Sequence, residues 1–154
     1  ARHLLDNPGM VAGKRVLDFA AGCGIAGIAA ARAGAARVTA SDLDAFARAA
    51  IRLNAGLNGV AVEASAEDFT SGGGEAFDAI LAGDVCYERA MAESVWPWLK
   101  AAARRGVDVW LADPGRAYLP QEDLREVARY AVPTTLELED RIERQTAVYR
   151  VTNA

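Results

Sequence analysis

The stretch Val16-Leu-Asp-Phe-Ala-Ala-Gly-Cys-Gly-Ile-Ala-Gly27 decides the fold of this chain. Its apolar beginning is typical of a buried strand that ends just after Asp18. Gly22 and Gly24 then indicate a tight turn, and the alanine-rich run after them predicts a helix. A strand that passes through glycines into a helix exposes backbone N–H groups and the positive end of the helix dipole. The stretch therefore predicts a site in which a ligand lies against the main chain.

The glycine turn fits two ligand templates. Gly22, Gly24 and Gly27 have the spacing of a dinucleotide fingerprint, and Asp42 follows at about the expected distance of ~20 residues. That template leaves Asp18 without a role, because a carboxylate at the strand end would repel a pyrophosphate. The second template is Asp18-x-Ala20-x-Gly22-x-Gly24, which resembles the first motif of class I S-adenosylmethionine-dependent methyltransferases. It gives Asp18 a role, because S-adenosylmethionine has no phosphate and carries a cationic amino group and a sulfonium. We therefore favour this methyl donor, with a nicotinamide-dependent oxidoreductase as the alternative.

The rest of the chain predicts strands that alternate with helices. Five parallel strands are expected at residues 15–19, 37–41, 60–64, 77–83 and 107–112, with helices at residues 25–33, 45–58, 91–105 and 121–131. Two further strands, at residues 134–139 and 146–152, have a connection short enough for an antiparallel pair. The predicted fold class is α/β, a Rossmann-like seven-stranded mostly parallel sheet with helices on both faces and a C-terminal antiparallel hairpin.

Length and composition limit the function classes. With 154 residues, 52% of them hydrophobic and 25% charged, the chain is expected to form one domain over residues 1–154. The net charge of −4 argues against a large nucleic-acid surface, and no apolar run reaches the ~18 residues of a membrane span. His3 is the only histidine, which argues against histidine-based hydrolysis and a histidine-ligated metal. We expect no metal, no nucleic acid, no membrane partner and a cytoplasmic location.

Carboxylates stand near the ends of the predicted parallel strands, where open α/β sheets bind ligands. Asp42 follows the second strand, and its two oxygens can accept both hydroxyls of a ribose. Asp68 and Phe69 follow the third strand and could give an acceptor and an aromatic face for adenine, although an acidic loop residue beside a core phenylalanine is an almost equal interpretation. Asp44 is expected to be a helix N-cap. The candidate cofactor-binding residues are Asp18, Ala20, Gly22, Cys23, Gly24, Asp42, Leu43, Asp68 and Phe69.

The segment that follows the fourth strand carries the candidate catalytic residues. Asp84 lies at the end of that strand, and Tyr87 comes three residues later on a loop expected to face the methyl donor. Enzymes that methylate the amino groups of DNA and RNA bases tend to have Asp/Asn-Pro-Pro-Tyr at this point. Val85 and Cys86 replace both prolines, so the chain departs from the base-modifying pattern.

Together these motifs resemble one branch of the class I, seven-β-strand methyltransferases. The motifs are Ser41-Asp-Leu-Asp44, Arg52-Leu-Asn-Ala-Gly-Leu-Asn-Gly59, Asp84-x-x-Tyr87 and Asp113-Pro-Gly-Arg116. Their order and spacing are similar to those of the family that methylates lysines on the β-subunit of electron transfer flavoprotein, including its bacterial members. The resemblance implies S-adenosylmethionine as cofactor and a lysine of a protein as substrate. On this basis we expect Asp84 to capture and orient the lysine, and Tyr87 to supply a hydroxyl acceptor and an aromatic wall.

Two features depart from that family. Ala20 replaces a usual glycine, which a methyl group tolerates if φ is negative. The family also carries a further N-terminal segment, and since residues 1–8 are typical of a helix end, we expect that segment to be missing. Related enzymes methylate ribosomal proteins, so ribosomal proteins and small molecules are alternative substrates, and a cofactor-binding module that is inactive without a partner is another alternative. Arg116 could pair with a local carboxylate or meet an acidic protein surface.

Overall fold

The computed structural model of the protein describes residues 1–133 and 143–152, which form one seven-stranded sheet covered by helices. The strands are β1 (Arg15–Phe19), β2 (Arg37–Ser41), β3 (Glu63–Ser65), β4 (Ala79–Gly83), β5 (Asp108–Asp113), β6 (Leu124–Pro133) and β7 (Glu143–Val151). The helices are α1 (Arg2–Asp6), α2 (Ile25–Arg32), α3 (Ala45–Leu57) and α4 (Arg89–Arg104), and short 3-10 turns lie at Pro8–Met10, Phe69–Ser71 and Gly74–Ala76.

The strand order β3-β2-β1-β4-β5-β7-β6 confirms the predicted architecture. The first five strands are parallel, and β7 runs antiparallel to both β5 and β6. Phe19 lies beside Ser41, and Gly83 lies beside Ala112, so the carboxyl ends of β1, β2, β4 and β5 meet at one edge. The chain order reverses between β1 and β4, which makes this edge the switch point where such sheets bind ligands.

The C-terminal part of the chain corrects one prediction. The predicted helix at residues 121–131 is wrong, because β6 occupies most of this stretch and pairs with β7 from Leu124↔Val151 to Pro133↔Glu143. A long-range strand partner that satisfies the backbone outweighs the local helical preference of residues such as Arg125 and Glu126. The predicted strand at residues 134–139 lies outside the described residues. The strand predicted at residues 146–152 is confirmed up to residue 151 by β7, which begins three residues earlier.

Alternation along the strands gives each face of the sheet its own core. Leu17 and Ile80 pack with Leu99 of α4 on one face. Their chain neighbours Val16 and Leu81 pack on the other face, where α1 and α2 lie. Helices on both faces are thereby confirmed. Within residues 1–133 and 143–152, no helix combines the length and the apolar character needed to cross a membrane.

Helix α3 forms where it is predicted but turns its most apolar side to solvent. Apolar residues recur at helical spacing in residues 45–58, and two of them, Phe46 and Leu57, are 85% and 86% exposed. Ile51 and Ala55, one turn apart, are the residues that the helix buries. The periodicity therefore identifies the helix correctly without identifying its buried side.

Candidate active site

A cavity of about 360 Å³ opens at the carboxyl ends of the central strands. Its lining comes from the ends of β1, β2 and β4, from the segment after β3 and from the start of α4. The lining residues are Phe19, Ala20, Gly22, Ser41, Asp42, Leu43, Glu67, Asp68, Gly83, Asp84, Tyr87 and Met91. A larger groove of about 770 Å³ lies at the opposite edge, before β2 and β3, and small alanine and glycine residues make up most of its wall. The cavity at the switch point is the one that brings the predicted site residues together.

The turn after β1 contributes Ala20 and Gly22 to the cavity lining. Gly22 and Gly24 have φ of +53° and +80°, a region that glycine enters without strain. A Cβ on Gly24 would also lie 3.1 Å from Cγ1 of Ile51, so the packing of α3 requires glycine there. Ala20 has φ of +51°, so the condition of a negative φ is not met and the residue holds a left-handed conformation that costs about 1 kcal/mol.

Asp18 lies beneath the turn and outside the cavity lining. Its side chain is 2% exposed, and Oδ2 accepts a hydrogen bond of 2.6 Å from the backbone N–H of Gly27. Burial raises the pKa of Asp18 to about 7, and the charge of Asp42 adds to the rise, whereas the Gly27 hydrogen bond opposes it. A Cβ on Gly27 would come within 3.1 Å of Oδ2, so glycine permits the close approach of α2. The hydrogen bond between Asp18 and Gly27 therefore links β1 to α2. A direct contact between Asp18 and a cofactor stays a prediction.

Asp42 holds the turn and lines the cavity at the same time. Its Oδ2 accepts a 2.9 Å hydrogen bond from the N–H of Gly22, and its Oδ1 accepts a 2.9 Å bond from the N–H of Asp44. A carboxylate has roughly four acceptor positions, so about two are left for a ligand. Asp44 in turn accepts a hydrogen bond from the N–H of Phe46, which confirms it as the N-cap of α3.

The two predicted residues of the segment after β3 lie in different places, one at the cavity and one in the core. Asp68 lines the cavity, and the hydrogen bonds that it accepts from the hydroxyl and the N–H of Thr70 lower its pKa. Phe69 is buried and packs edge-on against Phe77 at 5.3 Å between ring centroids. The interpretation of Phe69 as a core residue thus fits its position better than the adenine contact does.

Asp84 has a geometry that the sequence left open. Its φ is +54°, and its N–H donates a 2.8 Å hydrogen bond to the carbonyl of Ala112 on β5. Both of its carboxylate oxygens accept hydrogen bonds of 2.6 Å from Arg116, one from Nε and one from Nη2. Arg116 therefore pairs with a local carboxylate, and that carboxylate belongs to the candidate catalytic residue.

The neighbours of Asp84 separate into exposed and buried groups. Tyr87 lines the cavity and is half exposed, whereas Val85 and Cys86 are buried. Burial raises the pKa of the Cys86 thiol to about 11, with contributions from the charges of Asp113 and Asp84. Cys86 is consequently no nucleophile at neutral pH.

The structure brings most of the predicted site residues to one cavity, although several lie elsewhere. Ala20, Gly22, Asp42, Leu43, Asp68, Asp84 and Tyr87 line it, and Asp18, Cys23, Gly24 and Phe69 do not. Cys23 is exposed, and its carbonyl accepts a hydrogen bond from Asn54. The prediction omitted Phe19, Ser41, Glu67, Gly83 and Met91, of which the first four adjoin a predicted residue in the chain. Met91 is contributed by α4 and has no signal in the sequence.

The part of the chain that the structure describes contains no group of three histidine, cysteine or acidic residues placed to hold a metal ion.

Comparisons with known proteins point to methyltransferases. Residues 4–95 match the family model described as ribosomal protein L11 methyltransferase (PrmA). The chain is 35% identical to the electron transfer flavoprotein beta subunit lysine methyltransferase of Danio rerio over 97% of its own length, and it spans 60% of that protein. It is 57% identical to the ribosomal protein L11 methyltransferase of Aeromonas hydrophila over 51 residues, which are 33% of this chain and 18% of that protein.

A solved structure shares the fold. The tRNA (uracil-54, C5)-methyltransferase of Pyrococcus abyssi, determined in complex with S-adenosyl-L-homocysteine, superposes with a TM-score of 0.68 at 17% identity. The superposition covers 97% of this chain and 37% of the other.

Proposed function

Because this chain belongs to the ribosomal protein L11 methyltransferase (PrmA) family, we propose that it transfers methyl groups from S-adenosylmethionine to a lysine side chain of a protein. One observation carries the proposal. The cavity at the switch point is lined by Asp42, Glu67, Asp68 and Asp84 and, among the described residues, by no lysine, arginine or histidine. An anionic lining attracts a cationic methyl donor and repels the pyrophosphate of a dinucleotide.

The donor half of the site is the side formed by β1, β2 and the segment after β3. Gly22 brings main chain close to the cavity, and Asp42 has acceptor capacity left for the hydroxyls of a ribose. Leu43 adds an exposed apolar surface, and Asp68 adds a further acceptor. S-adenosylmethionine, when bound here, would supply a methyl group on a positively charged sulfur.

The acceptor half is formed by Asp84 and Tyr87. Methyl transfer needs a neutral amine about 3–3.5 Å from the methyl carbon and in line with the bond that breaks. A free lysine has a pKa of about 10.4, so its protonation at pH 7 raises the barrier by roughly 4–5 kcal/mol. In our proposal Asp84 accepts a hydrogen bond from an N–H of the amine and so orients the nitrogen lone pair toward the methyl carbon. The extra proton of the ammonium form leaves to water before the transfer. Tyr87 then provides a hydroxyl acceptor and a wall.

Two protein substrates follow from the comparisons. The β-subunit of electron transfer flavoprotein is favoured because the Danio rerio relative is similar over nearly the whole of this chain. Ribosomal protein L11 is the second candidate, since the family model carries that name and a short stretch resembles the Aeromonas enzyme more strongly. We further propose a cytoplasmic location, for which the two unpaired cysteines are the support.

The first experiment is a calorimetric titration of the chain with S-adenosylmethionine, and with NAD as the control. We expect micromolar binding of the methyl donor and none of NAD. Binding of NAD alone would refute the choice of cofactor. If neither ligand binds, this chain does not bind the proposed donor by itself, and the proposed activity is refuted for it.

The second experiment measures tritium transfer from labelled donor to purified β-subunit of electron transfer flavoprotein and to ribosomal protein L11. Asp84→Asn should lose transfer while its affinity for the donor stays within a few-fold of wild type. Asp44→Asn is the matched control, because asparagine caps a helix as well as aspartate does and Asp44 does not line the cavity. Loss of donor binding in Asp84→Asn would place Asp84 in the donor half instead.

A further inference from the structure

The carboxylate that we propose to orient the lysine is already paired with a cation. Arg116 makes a two-pronged contact with Asp84, with Nε at 2.6 Å from one oxygen and Nη2 at 2.6 Å from the other. The Arg116 side chain is 27% exposed and that of Asp84 44% exposed, so water screens the pair only in part. A planar guanidinium in this arrangement fixes both the position and the plane of the carboxylate.

Backbone hydrogen bonds hold both residues of this ion pair in place. Asp113 is buried at the end of β5, and its Oδ1 accepts 2.7 Å hydrogen bonds from the N–H groups of Gly115 and Arg116. On the other side, the N–H of Asp84 is bound to the carbonyl of Ala112, one residue before Asp113. Both partners of the ion pair are thus held by the end of the same strand. The pair is therefore formed before any substrate arrives.

An unpaired carboxylate at this place would work against methyl transfer. An opposite charge within ~4–6 Å favours the ionised form of a lysine by about 1–3 pKa units, and the ionised amine has no lone pair to attack with. Arg116 cancels most of the field of Asp84, while about two acceptor positions of the carboxylate stay open for an N–H of a neutral amine. The pair can therefore orient an amine without stabilising its protonated form.

The other titratable and charged groups near Asp84 lie on its own loop and at the ends of three other strands. They are Cys86 and Tyr87 on its own loop, Asp113 at the end of β5, Asp42 after β2, and Glu67 and Asp68 after β3. Most of these groups are acidic, so a change at Arg116 should leave an excess of negative charge at the acceptor side.

We infer that Arg116 is a positioning residue that fixes Asp84 and cancels its charge, so that the site takes the acceptor amine in its neutral form. This inference deepens the proposed function and rests on it. It also predicts a property of the site, which should bind an alkylammonium ion less tightly with Arg116 in place than without it.

The test compares Arg116→Gln, which removes the charge and keeps the length of the side chain, with Arg116→Lys, which keeps the charge and removes the fork. An equilibrium measurement comes first, by NMR titration of the protein saturated with S-adenosylhomocysteine. The probe is n-butylamine, which is protonated at pH 7. Arg116→Gln should bind it about tenfold more tightly than wild type, because the charge of Asp84 is no longer cancelled. Arg116→Lys should stay close to wild type.

The second readout is the pH profile of kcat for methyl transfer to the β-subunit of electron transfer flavoprotein, because kcat reports ionisation in the enzyme–substrate complex. In Arg116→Gln the rising limb should move to higher pH by at least one unit, whereas in Arg116→Lys it should stay in place with a lower plateau. Arg15→Gln is the matched control, since Arg15 forms a similar two-pronged pair with Asp78 at the opposite edge of the sheet. This variant should change neither readout.

The outcomes separate the inference from the function on which it rests. If wild type transfers no methyl group to the probe protein but Arg116→Gln still gains affinity for n-butylammonium, the choice of acceptor fails and the role of Arg116 stands. If Arg116→Gln gains no affinity, or if its activity rises at pH 7 without a shift of the limb, the inference is overturned. The latter result would show that Arg116 blocks Asp84 instead of preparing it.

Discussion

Asp18 should make the stability of this protein fall as the pH rises from 4 to 7. Burial raises its pKa to about 7 from an ordinary value of 3.8. Between these two values the folded protein keeps a proton that the unfolded chain has lost, so the folded state binds more protons and the free energy of unfolding decreases with pH. Below pH 4 both states are protonated, and above pH 7 both are ionised, so the effect is confined to this window.

The size of the effect follows from the same two values. A difference of about 3 pKa units corresponds to on the order of 4 kcal/mol between the ends of the window, at ~1.4 kcal/mol per unit. For a domain of this size that is a large fraction of the total stability, which is ordinarily about 5–15 kcal/mol. The loss arises because Asp18 must ionise inside the protein, with one hydrogen bond from Gly27 as compensation.

Asp18→Asn tests this account by urea unfolding at pH 4, 5, 6 and 7. Asparagine cannot ionise, and its carbonyl can still accept the hydrogen bond from Gly27. The stability of the variant relative to wild type should therefore improve by on the order of 4 kcal/mol across the window. Asp78→Asn is the control, because the pairing with Arg15 lowers the pKa of Asp78 to about 2 and places its titration outside the window. Parallel curves for Asp18→Asn and wild type would refute the reasoning.

Three further predictions concern the turn and its supports. Ala20→Gly should raise the free energy of unfolding by about 0.5–1 kcal/mol in the urea assay, because φ at this position is +51°. Ala21→Gly is its control: φ is not positive at position 21, so this change should lower the free energy of unfolding by a similar amount. Gly27→Ala should destabilise the protein by about 1–3 kcal/mol in thermal unfolding, because its Cβ would lie 3.1 Å from Oδ2 of Asp18; a neutral result would mean that α2 moves freely on β1. Asp42→Asn should weaken calorimetric binding of S-adenosylmethionine by about tenfold or more, since it replaces a charged acceptor, and unchanged affinity would remove Asp42 from the donor half.

The strand, turn and helix at residues 16–32 are readable from the sequence because each depends on neighbouring residues. Apolar alternation indicates β1, the glycines indicate the turn, and alanines indicate α2. Asp42 could be placed at the site for a similar reason, since the ends of parallel strands meet at one edge of a sheet. These local signals also gave the correct direction of the five parallel strands, but they predicted a helix where most of β6 lies.

Other properties depend on residues that are far apart in the chain, and the sequence could not decide them. Asp18 is buried because glycine at position 27 allows α2 to pack closely against β1. Arg116 pairs with Asp84, 32 residues earlier in the chain, because β4 and β5 are neighbours in the sheet. Residues 124–133 form a strand because β7 pairs with them. The sequence by itself determined the architecture and the edge of the sheet where the site lies, since both follow from short-range patterns. Only the tertiary structure decided which carboxylates face the cavity, which are buried and which are paired, because those outcomes depend on long-range packing.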